Sequence, residues 1–194
     1  MKKFYLLAIL TFFSLNTFAQ RWGYVITVGN DTIHCAKVKA AFIGNAIRYK
    51  EKDNDDFKSV NTDDIKEYQL SNDSAIWRVE MPKEDGKPIF MRLEASGRIC
   101  LYQMIISTYN ANNTTTSTTN WYVCKDNGYL IALKTSALFV FGASHDDRKA
   151  TLADMFADNP QVAAEYKADD SFSFKKIRKY VQQYNHDAAL NNHH

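Results

Sequence analysis

Three consecutive residues, Ser144, His145 and Asp146, are of the types that build a hydrolase triad. A working triad is assembled from separate segments, because adjacent residues cannot converge on one reacting atom. We therefore interpret this run as a polar loop that leads into a helix, and we do not assign it a nucleophilic role.

The acidic run at Asp53, Asp55 and Asp56 is of a type that could bind calcium. An EF-hand loop needs a glycine at its sixth position and a glutamate at its twelfth. Those positions hold Lys58 and Asp64 when the loop is counted from Asp53. The pattern instead favours a solvated β-turn.

The histidines do not form a metal-binding pattern. Zinc sites on helices use histidines spaced i and i+4, and no pair in this chain has that spacing. The histidines are His34, His145, His186, His193 and His194. The sequence therefore predicts no metal and no cofactor, and we interpret the C-terminal pair as an ordinary polar terminus.

Cys35, Cys100 and Cys124 have spacings that match no metal-binding or redox motif. In an oxidising compartment two of them could pair and leave the third unpaired. Each lies in a strand-like stretch, where a free cysteine often acts as a small apolar core residue. We favour that second interpretation, and the sequence leaves the pairing open.

An enzyme whose site is assembled from scattered residues is one alternative function. The imidazole and carboxylates to inspect first would be His34, Asp63, Asp64 and Glu94. Such groups supply general acid and base catalysis only if the fold brings them into one cleft. No recognisable catalytic set is present, so a non-enzymatic role is the more favoured prediction.

Residues 107–120 are dominated by serine, threonine and asparagine. A binding loop carried on a rigid sheet has this composition, and so has an ordinary disordered hairpin tip. As a binding loop it would use Tyr109, Asn112, Asn113 and Thr115. Both interpretations stay open at this point.

The last predicted helix carries a basic cluster at Lys175, Lys176, Arg178 and Lys179. Such a cluster could meet an acidic partner or an anionic membrane surface. The favoured interpretation is the solvated face of an amphipathic helix, because Ile177 and the apolar residues that follow it have helical spacing.

Residues 1–19 have the three parts of a secretory signal peptide. Lys2 and Lys3 precede an apolar run of about ten residues, which is too short for a spanning helix of roughly 20. Cleavage is predicted between Ala19 and Gln20. The first cysteine, Cys35, lies far beyond that point, so we expect a periplasmic or extracellular protein without a lipid anchor.

Cleavage would also change the charge. The whole chain has 24 Lys+Arg and 22 Asp+Glu, and the signal contains Lys2, Lys3 and no acidic residue. The mature chain is therefore formally neutral. Nucleic-acid binding proteins usually carry a concentrated basic surface, so the balance gives no support for a nucleic-acid partner. No later apolar stretch is long enough to cross a bilayer.

The elements that would position these residues change character along the chain. Residues 20–134 are typical of short strands joined by turns, and residues 135–187 are typical of helices followed by a polar tail at 188–194. The pattern predicts a single α+β domain. Its antiparallel β-sheet, or partly closed β-barrel of about eight to ten strands, would precede two or three C-terminal helices.

Two local sequence patterns predict single elements of this fold. Asp126-Asn127-Gly128 between two apolar runs predicts a tight hairpin. Residues 33–43 alternate, which predicts one continuous strand with Lys37 and Lys39 on its polar face.

Several short motifs lie in the same order as in a known group of proteins. They are the signal end at 18–20, Gly23-Tyr24-Val25-Ile26, Gly29-Asn30-Asp31-Thr32-Ile33, the segment 63–68 and the helical end at 180–185. With these motifs the chain resembles uncharacterised secreted proteins, a domain of unknown function common in Bacteroidetes-type bacteria. The resemblance implies export, and it implies no established activity or catalytic residue.

The resemblance also implies one modification. Bacteria of that type O-glycosylate exported proteins at an aspartate followed by serine or threonine and then a small or aliphatic residue. Thr32 and Ser74 fit this motif as acceptors. The alternative is a turn in which the aspartate and the hydroxyl bind backbone groups.

Three hypotheses follow for the function. The first is an exported, non-enzymatic cell-envelope protein that binds an envelope protein or a small ligand through its β-rich part. The second is a carrier of a small apolar ligand in a β-barrel cavity. The third is the enzyme with scattered site residues.

Overall fold

The computed structural model of the chain describes residues 22–40, 46–71, 73–80, 88–109, 115–134 and 144–191. A long antiparallel sheet comes first along this part of the chain and three helices follow it. The predicted α+β class is thereby confirmed. The large sheet ends at two edge strands and does not close on itself. The signal region with Ala19 and Gln20 lies outside the described residues.

The described strands are β1 (Gly23–Thr27), β2 (Thr32–Cys35), β3 (Lys37–Ala40), β4 (Ala46–Lys50), β5 (Lys58–Asn61), β6 (Ile65–Gln69), β7 (Ile76–Glu80), β8 (Ile89–Ala95), β9 (Ile99–Tyr109), β10 (Thr115–Lys125) and β11 (Ile131–Lys134). The large sheet has the order β11-β10-β9-β8-β7-β6-β1-β2, and the small sheet has the order β3-β4-β5. A 3-10 helix, Thr62–Asp64, joins the small sheet to β6.

The predicted hairpin around Asn127 is confirmed. Asp126 and Asn127 both have positive φ, at 50° and 58°, and the amide of Gly128 donates to the carbonyl of Lys125 at 2.8 Å. Two positive φ values in a two-residue turn define the type I′ geometry, whose twist matches that of the flanking strands. The turn therefore reverses the chain between β10 and β11, which pair from Val123 with Ile131 onward.

The prediction of one continuous strand over residues 33–43 is wrong. The segment is divided into β2, which pairs with β1, and β3, which pairs with β4 in the other sheet. Cys35 and Ala36 are both buried although they are neighbours, so the alternation breaks between them. The chain changes sheets at that point, and residues 41–45 lie outside the described part.

Three helices are described: α1 (His145–Met155), α2 (Pro160–Ala168) and α3 (Phe174–Asn191). Ser144 caps α1 in a reciprocal capping box with Asp147, and Asn159 caps α2 ahead of Pro160. The interpretation of Ser144-His145-Asp146 as the entry to a helix is thereby confirmed. The helix α3 continues to Asn191, into the segment that we predicted as a polar tail.

The packing of α3 explains its length, because Ala188 still contacts the core beneath the helices. None of the described helices combines the length and the apolar character that a bilayer span requires.

The apolar residues form three clusters. The helix-side core lies between the helices and one face of β8–β11, and its sheet residues include Ile99, Leu101, Trp121 and Val123. The sheet–sheet core joins the small sheet to β1, β2 and β6. The third cluster lies on the opposite face of β8–β11 and includes Met91, Cys100, Tyr102, Tyr122, Cys124 and Leu130.

One side chain of α3 binds the turn between β8 and β9. Asn185 Nδ2 donates to the carbonyls of Ser96 and Ile99, at 3.2 and 2.7 Å, and Asn185 Oδ1 accepts from the amide of Ile99 at 2.9 Å. Gly97 has φ of 151°, and a side chain there would overlap Asn185. Glycine at position 97 is therefore what allows Asn185 to approach the turn this closely.

A charged junction holds the helices to the same end of the β9–β10 hairpin, at the start of β9 and the end of β10. Asp158 accepts from Arg98 at 2.8 Å, from Lys125 at 2.7 Å and from the Tyr184 hydroxyl at 2.9 Å. Burial opposes ionisation of Asp158, but these hydrogen bonds outweigh it and lower its pKa to about 2. Asp158 therefore stays an anion that ties two strands to α3.

Asn185→Ala should lower the free energy of unfolding by about 2–3 kcal/mol, because it leaves the buried amide and carbonyl of Ile99 without partners. Gln183→Ala on the same helix is the matched control, since its amide contacts only the exposed Glu165. We expect a loss of at most about 0.5 kcal/mol for that control. Urea denaturation followed by circular dichroism measures both, and equal losses would contradict the assigned role of Asn185.

Candidate functional site

The outer face of the small sheet carries four cations, which we call the basic face: Lys37, Lys39, Arg48 and Lys50. Lys37 lies directly opposite Lys50, and Lys39 lies directly opposite Arg48, in the β3–β4 pair. Each β-carbon is therefore about 5 Å from that of the cation across the strands. Along one strand the next cation of the row is about 7 Å away. Four positive side chains thus share a compact area.

The inner side of the same strands explains why the cations face outward. Val38, Ile47 and Tyr49 alternate with the cations and are buried against β1 and β6. Two contacts fix the position of β3: the amide of Val38 donates to Ser71 Oγ at 3.0 Å, and a side chain at Gly23 would collide with Val38. The core of the small sheet therefore sets the orientation of the basic face.

Phe57 lies among these cations. The ammonium groups of Lys39 and Lys50 lie 5.0 and 4.8 Å from the centre of its ring, and the guanidinium of Arg48 lies 5.0 Å away. One ring offers two faces, so it cannot give three cations their best cation–π geometry at once. Phe57 therefore contacts all three cations, and because its ring is uncharged their positive charges are not neutralised.

The basic face lacks matching carboxylates. Among the described residues, Lys37, Lys39 and Arg48 form no ion pair, and the ammonium of Lys50 reaches the backbone carbonyl of Asp53 at 3.4 Å. Like charges directly opposite each other in a sheet destabilise it by up to about 1 kcal/mol per pair. Such an arrangement is suited to an anion that binds from outside.

The turn between β4 and β5 uses its acids locally. Glu51 pairs with Lys58, and Asp55 Oδ2 accepts from the amide of Lys52 at 3.0 Å. The described residues contain no group of three or more histidine, cysteine or acidic side chains that could hold a metal. The amide of Asp55 donates to the carbonyl of Lys52 at 3.1 Å, which is the hydrogen bond of a β-turn, so the turn predicted for this acidic run is present.

A second polar array crosses the large sheet on the face opposite the helices. Glu67 on β6 accepts from the Tyr24 hydroxyl at 2.6 Å and from Arg78 at 2.7 and 2.9 Å. On the same face, the hydroxyl of Tyr102 on β9 donates to Glu80 on β7 at 2.7 Å. Three strands, β1, β6 and β7, therefore contribute to one hydrogen-bonded group around Glu67.

The two tyrosines of this array keep their hydroxyl protons at neutral pH. Burial, together with the bond to Glu67, raises the pKa of Tyr24, and burial with the bond to Glu80 raises the pKa of Tyr102. Burial opposes the charge on Arg78, but its bonds to Glu67 and Tyr102 outweigh that effect and raise its pKa. Both tyrosines are thus neutral donors at pH 7, which favours a structural role over acid–base catalysis.

The three cysteines are buried and reduced. Cys100 and Cys124 lie directly opposite each other in the β9–β10 pair, whereas Cys35 lies opposite Gly23. The sequence alone predicts three equivalent core residues and leaves the pairing of two of them open.

The scattered residues named for an enzyme do not form one cleft. His34 lies on the edge strand β2, and three strands separate it from Glu94 on β8. Glu94 forms ion pairs with Arg92 at 3.1 Å and Arg178 at 3.2 Å. It borders an open depression of about 450 Å³ that it shares with His186. Asp63 and Asp64 are exposed in the 3-10 helix before β6.

The predicted binding loop in the low-complexity segment at 107–120 is only partly described. Thr115 is exposed and opens β10 opposite Tyr109 of β9, while Asn112 and Asn113 lie outside the described residues. Residues 107–109 and 115–119 continue the two strands, so this part of the low-complexity segment is paired sheet. The proposed binding loop stays a prediction.

The two glycosylation acceptors lie on the surface. Thr32 is exposed at the start of β2, and Ser74 is exposed in the turn where the amide of Ala75 donates to Asp73 at 3.0 Å. An exposed hydroxyl is what a glycosyltransferase needs, but the Asp73 contact equally fits a simple turn. Glycosylation at both positions stays a prediction.

The basic cluster on α3 is a solvated helix face, as favoured from the sequence. Ile177 is fully buried between exposed cations. Lys176 pairs with Asp169 at 2.7 Å, and Arg178 pairs with Glu94. This cluster therefore has intramolecular partners of the kind that the basic face lacks among the described residues.

Comparison of the chain with protein-family models, curated proteins and solved structures finds no match. Sequence reasoning missed the basic face as a site. Its signal was present as Lys-x-Lys at 37–39 and Arg-x-Lys at 48–50, because both patterns place cations on one side of a strand. Only the β3–β4 register shows that these two pairs of cations lie next to each other.

Glu67→Gln should lower the free energy of unfolding by about 1–2 kcal/mol, because the half-buried Arg78 guanidinium loses its counter-charge. Glu51→Gln is the matched control, since the Glu51–Lys58 ion pair is exposed to solvent and screened, so its loss should change stability little. Guanidinium denaturation at pH 7 compares the two variants. A loss for Glu67→Gln as small as the control's would show that the array adds nothing to stability.

Proposed function

We propose that this protein is an exported, non-enzymatic cell-envelope protein that binds an anionic ligand on the basic face. The observation that carries the proposal is the pairing of Lys37 with Lys50 and of Lys39 with Arg48, without described ion-pair partners for Lys37, Lys39 or Arg48. A protein gains no stability from placing like charges opposite each other. Binding of an anion accounts for the arrangement.

The dimensions of the basic face indicate the class of ligand. Its cations are separated by about 5 Å across the strands and about 7 Å along them. Closely spaced phosphate or carboxylate groups on one small molecule or headgroup match that area. Arg48 can hold such a group with two parallel hydrogen bonds, while the lysines act as point charges around it.

The formal neutrality of the mature chain agrees with a local site. A protein that covers long nucleic acids usually needs a basic surface extending over many phosphates. Here the acidic turn 51–56 borders the basic face and limits its extent. A compact anion fits this surface better than an extended polyanion.

The other two hypotheses receive less support. A carrier of an apolar ligand would need an enclosed cavity, and the large sheet has two open edges at β11 and β2. An enzyme would need converging reactive groups, and His34 and Glu94 lie on well-separated strands.

The binding test uses tripolyphosphate and citrate as probes for compact phosphates and carboxylates, with isothermal titration calorimetry at low ionic strength. Lys39→Gln/Arg48→Gln should weaken binding at least about tenfold, which corresponds to about 1.4 kcal/mol. Added salt should weaken binding to the unchanged protein, because the cations are exposed and screened.

The matched control is Lys175→Gln/Lys179→Gln, which removes two exposed charges from α3 and leaves the small sheet unchanged. It should bind both probes as the unchanged protein does. Absence of binding by the unchanged protein would refute the proposed ligand class. Equal weakening in both double variants would show a general charge effect and no site.

Export is tested separately. When the chain is expressed in a bacterial host that can secrete it, the mature protein should begin at Gln20, as read by mass spectrometry of its N-terminal peptide. Ala19→Glu should cause the precursor to accumulate, because signal peptidase requires a small residue before the cleaved bond. Gln20→Glu, on the other side of that bond, should be processed normally. An unprocessed chain in the cytoplasmic fraction would refute export.

A further inference from the structure

Two of the three cysteines lie in a geometry that suits a covalent bond. Cys100 and Cys124 are partners in the β9–β10 register, and both point to the face opposite the helices. Directly opposite residues of antiparallel strands have their α-carbons about 4.5–5.5 Å apart. A disulfide needs about 4.4–6.8 Å between the α-carbons. The backbone therefore needs no rearrangement to join them.

The surroundings of the two sulfur atoms support the same conclusion. A hydrogen bond between the two thiols lowers the pKa of Cys100 and raises the pKa of Cys124. The Cys100 thiol also lies 3.6 Å from the carbonyl of Gly97. Cys100 and Cys124 thus share one face of the β9–β10 pair, and Cys100 is the thiol that more readily becomes the thiolate.

Cys35 provides an internal comparison. It is fully buried, Gly23 occupies the position opposite it, and burial raises the pKa of its thiol to about 11. It lies on β2, at the far edge of the large sheet from β10. A disulfide to either of the other cysteines would require the sheet to come apart.

We propose that Cys100 and Cys124 form an intrachain disulfide across β9 and β10 when the protein meets a disulfide oxidant, and that Cys35 stays a thiol. The inference does not depend on anion binding or on export. Of the three cysteines, two would then form one disulfide and the third would remain a buried core residue.

The reaction is two successive thiol–disulfide exchanges. The Cys100 thiolate attacks one sulfur of the oxidant and expels one thiolate, which leaves a mixed disulfide on Cys100. The Cys124 thiol gives up its proton, attacks the Cys100 sulfur and expels the second thiolate. The two cysteines are oxidised, the oxidant is reduced to two thiols, and the two protons released by the cysteines go to those thiols.

The bond would close a chain segment from residue 100 to residue 124 that includes the tip of the β9–β10 hairpin. Closing a segment of this length restricts the unfolded chain. We therefore expect the oxidised protein to melt about 5–10 °C above the reduced protein.

The test uses oxidised glutathione as the oxidant. Because Cys100 and Cys124 are only 7% and 6% exposed, one sample is treated while folded and a second is treated during refolding from denaturant. Free thiols are then alkylated in denaturant, and peptides are mapped by mass spectrometry without reduction. The expected result is one alkylated residue, Cys35, and one cross-linked pair of peptides that contain Cys100 and Cys124.

Two variants test the order of the steps. Cys124→Ser should retain glutathione on Cys100, because the second thiol that would expel it is missing. Cys35→Ala should form the cross-link as the unchanged chain does. Three alkylated cysteines in both samples of the unchanged chain, or a cross-link that includes Cys35, would overturn the proposal. This result is read independently of phosphate or citrate binding.

Discussion

The register of β9 against β10 is the constraint on which the rest of this structure depends. The two strands pair over eleven consecutive positions, from Ile99 with Lys125 to Tyr109 with Thr115. Side chains alternate between two faces, so a shift of one residue would exchange every inward and outward position. Both faces are apolar near the base of this hairpin, and a shifted register would therefore disrupt two cores at once. Cys100 and Cys124 lie opposite each other only in the observed register.

The helices depend on the same base of the hairpin. Asn185 of α3 binds the backbone at Ile99, and Asp158 in the turn between α1 and α2 binds Arg98 and Lys125, so α3 and this turn contact the start of β9 and the end of β10. The basic face lies on the small sheet, which packs on β1 and β6 in the other half of the large sheet. Changes to its exposed cations therefore need not disturb the helix-side core. The basic face and the helix-side core therefore lie in separate parts of the structure.

Features that depend on a few neighbouring residues could be predicted from the sequence, whereas contacts that depend on strand pairing could not. The Asp126-Asn127-Gly128 turn and the Ser144 cap each require only a few neighbouring residues, and both are confirmed. The Glu67 array uses Tyr24 and Arg78, which are far apart in the chain and meet only because β1, β6 and β7 are adjacent. The division of residues 33–43 was missed because Cys35 and Ala36 fit an unbroken apolar strand. For the cysteines a signal did exist: a hairpin centred on residue 112 places positions 100 and 124 opposite each other.

The small formal net charge of +2 conceals how unevenly charge is distributed over the surface. Salt screens exposed charges beyond about 10 Å at 0.1 M, so a partner responds to the nearest cations and hardly to the sum over the chain. On α3, Lys176 and Arg178 are held by Asp169 and Glu94, so much of their field is cancelled locally. On β3 and β4 the cations face each other, with Phe57 between them as a polarisable but uncharged neighbour. A compact dianion relieves repulsion between two cations of this face when it binds, and that gain is absent at an isolated lysine. In the proposed function, a preference for closely spaced anionic groups would follow from the β3–β4 register.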